Sequence, residues 1–518
     1  MNRLPFALFA LLLTPLLASA DDPLAKKLEA ITDGPEFKRS HWGVLIVDAK
    51  TGEAVYERNP DKLFALASVS KLFSTAATLA EFGADFKFET PVFARGVVQK
   101  GALQGDLILR ASGDPSFGSR NTKEAGKLAF TEVDHSYANG GVAVLTEGTD
   151  PLAAFNELAE QVKAAGITEV LGEVLVDDRL FARTRATGTG PEVLTAMVVN
   201  DNVIDLVITP GAKAGEPAKV THRPETAVLH VDAEVRTGEA GAPAGVVLSQ
   251  VGPGQFTVRG SVPANGKAVV RGLPVDDPTA FGRSVFIEAL RRAGVKVAAA
   301  VARPVNGVLP PPAEYQQMKP VAVFTSAPMS ELLKVTLKTS NNLYATAMPC
   351  LMAAKNGKMT QEDGLKIQRK HLKGLKVDLD ALSLTTGAGG NGMDLGSPRA
   401  TVQLLQGLQK RDDWNAVREW MPSLGVDGTL TKVVDKDSPA FGKVFAKSGT
   451  YAWIDTLNGR PLLRSKTMAG AMTTESGREL LFALFVNDVP LEPNTTADKV
   501  GKVLGHLCEV VYLDGPAK

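Results

Sequence analysis

Ser68 and Lys71 stand three residues apart in Leu66-Ala67-Ser68-Val69-Ser70-Lys71-Leu72-Phe73. That spacing joins a hydroxyl nucleophile to an amine that can take its proton, because one helical turn brings side chains at i and i+3 together. In the first turn of a helix, free N–H groups and the positive end of the dipole also favour negative charge developing beside Ser68. Two further patterns lie far downstream: Ser340-Asn341-Asn342 offers a hydroxyl and an amide, and Lys447-Ser448-Gly449-Thr450 offers a cation followed by a glycine. Singly, each is ordinary, and its plain reading is a capping serine or a solvated lysine. Lys50-Thr51-Gly52 and Ser119-Arg120-Asn121 match the same short patterns. The first precedes the nucleophile at a hairpin tip and the second falls inside a long insertion, so both are set aside. The information lies in the order Ser68, Ser340, Lys447, on a helix start, a loop and a strand.

Those three positions need elements to hold them. Val69, Leu72, Phe73, Ala76, Leu79 and Ala80 recur at helical spacing, which predicts a helix from about Ser68 that is buried on most sides. Trp42–Asp48 and Glu53–Tyr56 read as a β-hairpin turning at Ala49-Lys50-Thr51-Gly52, its first strand apolar enough to be buried on both faces. On a strand over Phe445–Tyr451, Lys447 and Gly449 share a face, with the glycine leaving room for a ligand backbone. Strands at Lys466–Met472 and Glu479–Val486 and a closing helix near Thr496–Leu513 follow. Between these ends, from Val92 to Pro274, short β-rich runs (Asp106–Leu109, Glu173–Val176, Val203–Ile208, Val228–Val231) alternate with Gly and Pro turns around one helix near Leu152–Ala165. The expected division is a signal peptide over 1–20, core over 21–91, an inserted β-rich module or pair of modules over 92–275, and core again over 276–518. Helices are expected at Phe281–Ala293 and through the region after Ser330.

Composition narrows the partner. Of 518 residues 44% are hydrophobic and only 22% charged, enough for several buried cores. Lys plus Arg equals Asp plus Glu at 57 each with no like-charge block, which speaks against nucleic acid or an anionic membrane surface. Arg3, the apolar Leu4–Leu17 and Ala18-Ser19-Ala20 have the layout of a secretory signal peptide, with the mature chain starting at Asp21. No later run of 18 apolar residues follows, so the expectation is an exported, periplasmic protein without a transmembrane segment in its mature chain. Cys350 and Cys508 either pair in an oxidising compartment or remain as two buried thiols. The six histidines show no ligand spacing, and neither Gly-x-Ser-x-Gly nor His-Glu-x-x-His occurs, so no cofactor and no metal is implied. Asp114, Asp201 and Asp427 sit in turn-like contexts and are read as turn formers.

The ordered motifs resemble those of penicillin-binding proteins and serine β-lactamases. The long insertion between the first two is similar to that of the D-alanyl-D-alanine carboxypeptidase/endopeptidase family typified by penicillin-binding protein 4. Gly105-Asp106-Leu107-Ile108-Leu109, Gly113-Asp114-Pro115-Ser116, Asn200-Asp201-Asn202 and Gly425-Val426-Asp427-Gly428-Thr429-Leu430 extend the likeness over nearly all of the mature chain. The resemblance implies an α+β, transpeptidase-like core in which an antiparallel sheet packs on helices, with the extra domains inserted. It implies an enzyme that takes peptidoglycan stem peptides as substrate and β-lactam antibiotics as covalent inhibitors.

Carried onto this sequence, the resemblance makes Ser68 the nucleophile that attacks the carbonyl between two D-alanines. Lys71 is its base, kept neutral by burial and by Lys447. Ser340 would relay the proton, Asn342 would orient Lys71 and the substrate, and Lys447 with Ser448 would hold the terminal carboxylate. Gly449 lies between them, and the N–H groups of Ser68 and Thr450 would form the oxyanion hole. One stretch departs from the family: Thr385–Asp394 is rich in glycine where polar side chains are usual, which would alter the cleft. Two alternatives share the motifs, a β-lactamase and a non-catalytic cell-wall-binding homologue. Class A β-lactamases need a glutamate to activate water, and the only glutamates between Asn342 and Lys447 are Glu362 and Glu419, in unlike surroundings.

Overall fold

The computed structural model describes residues 23–140, 143–302 and 307–514. The expected signal peptide and the Asp21 start lie outside the described residues. The two ends of the chain build one antiparallel five-stranded sheet, in the spatial order Ala54–Arg58, His41–Asp48, Glu479–Pro490, Arg460–Thr473, Val444–Asp455. Seven of the eight residues of His41–Asp48 are buried, as its unbroken apolar character dictates. Alternation divides them between two cores. Val44 and Ile46 pack with Leu24 and Leu28 of helix Pro23–Thr32 and with Leu504 and Leu507 of helix Asp498–Asp514. Leu45 and Val47 face the core that holds Phe64, Leu66, Val69, Leu72 and Phe73. A one-residue slip of that strand would exchange the two sets.

The helix carrying the first motif runs over Ser70–Phe82, and a short 3-10 turn, Ala67–Val69, precedes it. Ser68 therefore sits on a tight turn just ahead of the α-helix, and the expectation that α-helix begins at Ser68 is corrected by two residues. Ala67 has φ +45°, a conformation that costs a residue with a Cβ about 1–2 kcal/mol and persists only where its surroundings over-determine it. Here they do. The Leu66 N–H bonds to the Asp394 carbonyl (3.0 Å), the Leu66 carbonyl accepts from Thr467 Oγ1 (2.8 Å), and Asn487 Oδ1 accepts from the Ala65 N–H (2.7 Å).

Ser340 lies in a connection, as expected, but a very short one. It is the left-handed hinge (φ 59°, ψ 36°) between helices Met329–Thr339 and Asn342–Lys355, with Asn341 capping the second through its side chain (3.0 Å from the Tyr344 N). Two rigid helices thus aim the Ser-x-Asn pair. Cys350 and Cys508 are free thiols buried in separate cores, so the pairing alternative does not hold.

The inserted part starts with strands Glu89–Gln99 and Ala102–Arg110, which pair antiparallel. Pro320–Thr325 pairs with the first of them on its other side. Helices Ala153–Ala164 and Pro278–Arg292 contribute Phe155, Leu158, Phe286 and Leu290 to the packed core. Two three-stranded sheets, around Val203–Thr209 and Gln255–Pro263, complete it. The division expected at 275 falls inside a layer that the chain completes only at Thr325, and we propose 89–325 as the inserted part.

Candidate active site

Lys71 has no solvent exposure, and its Nζ lies 2.9 Å from Ser68 Oγ, 2.7 Å from Asn342 Oδ1 and 2.7 Å from the Ala388 carbonyl oxygen. The chemistry follows from that partner set. The last two partners are acceptors only, so a neutral Lys71 spends both of its N–H bonds on them. Its single lone pair is then left facing the Ser68 hydroxyl. Burial drives the amine from 10.5 to about 7, with the Asp394 charge pulling the other way. Lys447 is likewise fully buried and held well below an ordinary lysine, first by burial and then by Lys71 and Lys466. Burial is the main cause for both amines, and each disfavours the charged form of the other.

The third motif reaches Ser68 through its glycine. A Cβ on Gly449 would lie 2.3 Å from Thr467 Oγ1, 2.7 Å from the Leu66 carbonyl oxygen and 2.9 Å from the Ser68 nitrogen. The glycine thus admits the protein's own Ala67–Val69 turn, where the strand pattern predicts space for a ligand backbone. Lys447 Nζ donates to the Ser448 carbonyl (2.7 Å), and the Ser448 hydroxyl is 2.8 Å from that of Thr429. Thr450 is exposed, and its Oγ1 accepts from Lys466 (2.8 Å), whose pKa burial lowers to about 8. Ser340 is buried at its hinge and contacts the Tyr137 hydroxyl, which donates to the Thr339 carbonyl (2.7 Å).

The glycine-rich stretch Thr385–Asp394 enters the site as backbone. Asp394, fully buried, accepts from the Thr385 N–H (2.7 Å) and from the hydroxyls of Thr385 (2.8 Å) and Thr386 (3.1 Å). Thr386 Oγ1 in turn accepts from the N–H groups of Ala388 (3.2 Å) and Gly389 (3.1 Å), which fixes the turn that aims the Ala388 carbonyl at Lys71. Gly387 and Gly389 pass so close to the Ala345 and Ala67 carbonyls that an added Cβ would lie 2.1 and 2.0 Å from them. Sequence reading had no signal for a backbone ligand of this kind, nor for Thr189, whose carbonyl accepts from Asn342 Nδ2 (2.9 Å). Asp201 lies in the Asn200–Asn202 turn, as its context leads one to expect, and does more there. It proves to be the centre of a buried ion network, pairing with Arg120, with His135 (3.1 Å) and with the Tyr344 hydroxyl (2.6 Å). Glu362 and Glu419, the glutamates a class A β-lactamase would need, are both solvent-exposed.

An antiparallel sheet against helices, with a serine, two buried lysines and an asparagine at its edge strand, defines the transpeptidase-like class. The crystal structure of penicillin binding protein 4 from Haemophilus influenzae has the same fold, with a TM-score of 0.70 at 20% identity over 94% of this chain and 99% of that one. The D-Ala-D-Ala carboxypeptidase 3 (S13) family model matches residues 24–504, and the chain belongs to that family. It is 30% identical over 474 residues to a D-alanyl-D-alanine carboxypeptidase of Actinomadura sp. (strain R39), covering 86% of this chain and 80% of the relative. It is 23% identical over 489 residues to a penicillin-sensitive carboxypeptidase A of Dictyostelium discoideum, covering 90% and 86%.

Proposed function

We propose that this chain is a serine DD-peptidase of peptidoglycan in which Ser68, Lys71, Ser340, Asn342 and Lys447 carry an acyl transfer. The observation that carries the reading is the buried Lys71 amine, with two acceptor-only partners and Ser68 Oγ at 2.9 Å. Ser68 loses its proton to Lys71 as its oxygen attacks the carbonyl carbon of the penultimate D-alanine. The resulting oxyanion is met by the N–H groups of Ser68 and Thr450, where one lost donor typically costs about 3–4 kcal/mol. Collapse breaks the amide bond. The proton passes from Lys71, by way of the Ser340 hydroxyl, to the departing amine, and water then releases the acyl group from Ser68.

The terminal carboxylate of the stem peptide meets Lys447 and the Ser448 hydroxyl. Burial beside two other lysines makes the charged form of Lys447 costly in the empty site, and an incoming carboxylate supplies the missing countercharge. Trimming of terminal D-alanine and cleavage of a D-alanyl cross-link share this acyl-enzyme and differ only in the leaving amine. A β-lactam enters as a strained analogue of the same amide. Peptidoglycan lies outside the cytoplasmic membrane, so the leader-like first 20 residues fit an exported, periplasmic enzyme. No helix among the described residues is long and apolar enough to cross a membrane.

Ser68→Ala tests the reading. D-Alanine release from a D-alanyl-D-alanine peptide should fall to background, and release at the wild-type rate would remove Ser68 from the mechanism.

A further inference from the structure

Asn342 can serve Lys71 only with its oxygen toward the amine. A carboxamide is nearly symmetric in shape, so something must stop it from flipping. Nothing in the motif itself does so. The inserted part reaches in here: the Thr189 carbonyl, which can only accept, lies 2.9 Å from Asn342 Nδ2, with Thr189 Oγ1 at 3.3 Å. The preceding residue leaves no room for a side chain. It is Gly188, at φ +92°, where a Cβ would lie 2.5 Å from Asn342 Nδ2. On the other side Gly390 abuts the Thr187 carbonyl, where a Cβ would lie at 2.4 Å, so this segment is wedged between Asn342 and the loop that carries Ala388. A further contact reaches the hinge, since Tyr137 of the inserted part donates to the Thr339 carbonyl.

We infer that the inserted segment Thr187-Gly188-Thr189 is a positioning element of the catalytic site: the Thr189 carbonyl locks the Asn342 amide so that Oδ1 faces Lys71. A flipped amide would instead direct Nδ2 at the Lys71 lone pair. That would occupy the base and make its charged form less favourable, so the Lys71 pKa would drop further. The inference rests on the proposed roles of Lys71 and Asn342. It adds that the insertion belongs to the catalytic apparatus.

Gly188→Ala drives a methyl against Nδ2. Gly215→Ala controls for backbone strain, because Gly215 has a similar φ of +89° in the same inserted part with nothing within 4 Å of its Cβ position. Acylation by a fluorescent penicillin is followed against pH for the wild type and both variants, with thermal melting to report folding. Gly188→Ala should acylate about a hundredfold more slowly, as expected for a reacting group displaced by an ångström, and its acidic limb should move to lower pH. Gly215→Ala should match the wild type. A folded Gly188→Ala with wild-type rate and limb overturns the inference, and so does a slower variant whose limb stays in place, since lost folding lowers amplitude without shifting a pKa. Should Gly188→Ala fail to fold, the Asn342 side-chain amide of 15N-labelled wild type decides, assigned by its loss in Asn342→Asp: Nδ2 protons protected from solvent exchange support the lock, and rapid exchange overturns it. Failure of the wild type itself to acylate would instead strike the proposed function.

Discussion

The Lys71 titration yields the sharpest quantitative expectation. An unperturbed lysine at 10.5 would be neutral in only about one molecule in 3,000 at pH 7, whereas an amine at about 7 is neutral in about half. Burying this side chain therefore supplies the base form at a cost of about 5 kcal/mol for the charged form. If neutral Lys71 is the base, acylation should fall about ninetyfold between pH 8 and pH 5, at close to tenfold per unit below the midpoint. The assay is the second-order rate constant for penicillin acylation measured over pH 4.5–9. Asp394→Asn identifies the group responsible. Asp394 is the charge that raises the Lys71 pKa, so neutralising it should move the acidic limb to lower pH. A rate flat down to pH 5, a midpoint near 10, or a limb indifferent to Asp394→Asn would refute the assignment of Lys71 as the base.

Three further outcomes follow from the same geometry. Gly449→Ala sets a methyl against the Leu66 carbonyl and the Ser68 nitrogen, backbone that cannot rotate away, and should slow acylation about a hundredfold while the protein stays folded by circular dichroism. Asp201→Asn removes the partner shared by Arg120 and His135 in a fully buried network and should destabilise the protein by about 3–5 kcal/mol in urea unfolding. Burial alone would lower His135, yet the Asp205 and Asp201 carboxylates raise it to about 10. Since that folded value exceeds the ordinary 6.5, the stabilisation is complete below pH 6.5 and drains away as pH rises toward 10. The Tm gap between wild type and His135→Gln should be widest below pH 6.5 and close toward pH 10.

Legibility in the sequence tracked the range over which the physics acts. Periodicity located the helix that follows Ser68, the first hairpin and the closing strands, because burial imposes a period of 2 or 3.6 on a continuous segment. The ordered Ser68, Ser340 and Lys447 motifs carried the family and the side chains at its centre. What stayed hidden was set by contacts between distant segments. Ala388 and Thr189 act through main-chain carbonyls, which no residue type advertises. The glycines of Thr385–Asp394 signal an altered cleft in the sequence, and in the fold they allow the loop to thread past the Ala67 and Ala345 carbonyls. Asp201 does lie in a turn, Asn200–Asn202, but its ion network stayed hidden because its partners Arg120 and His135 lie 81 and 66 residues away. The pairing behind the proposed 89–325 division was hidden for the same reason: Pro320–Thr325 pairs with a strand more than 200 residues earlier.

The central claim is that a turn, a helix corner and an edge strand converge on the Ser68 oxygen. Peptide mapping by mass spectrometry after brief exposure to benzylpenicillin measures this directly. A single penicilloyl adduct on the peptide containing Ser68, blocked by prior incubation with a D-alanyl-D-alanine peptide, is the expected result. An adduct on any other residue, or none at all on folded protein, would contradict it.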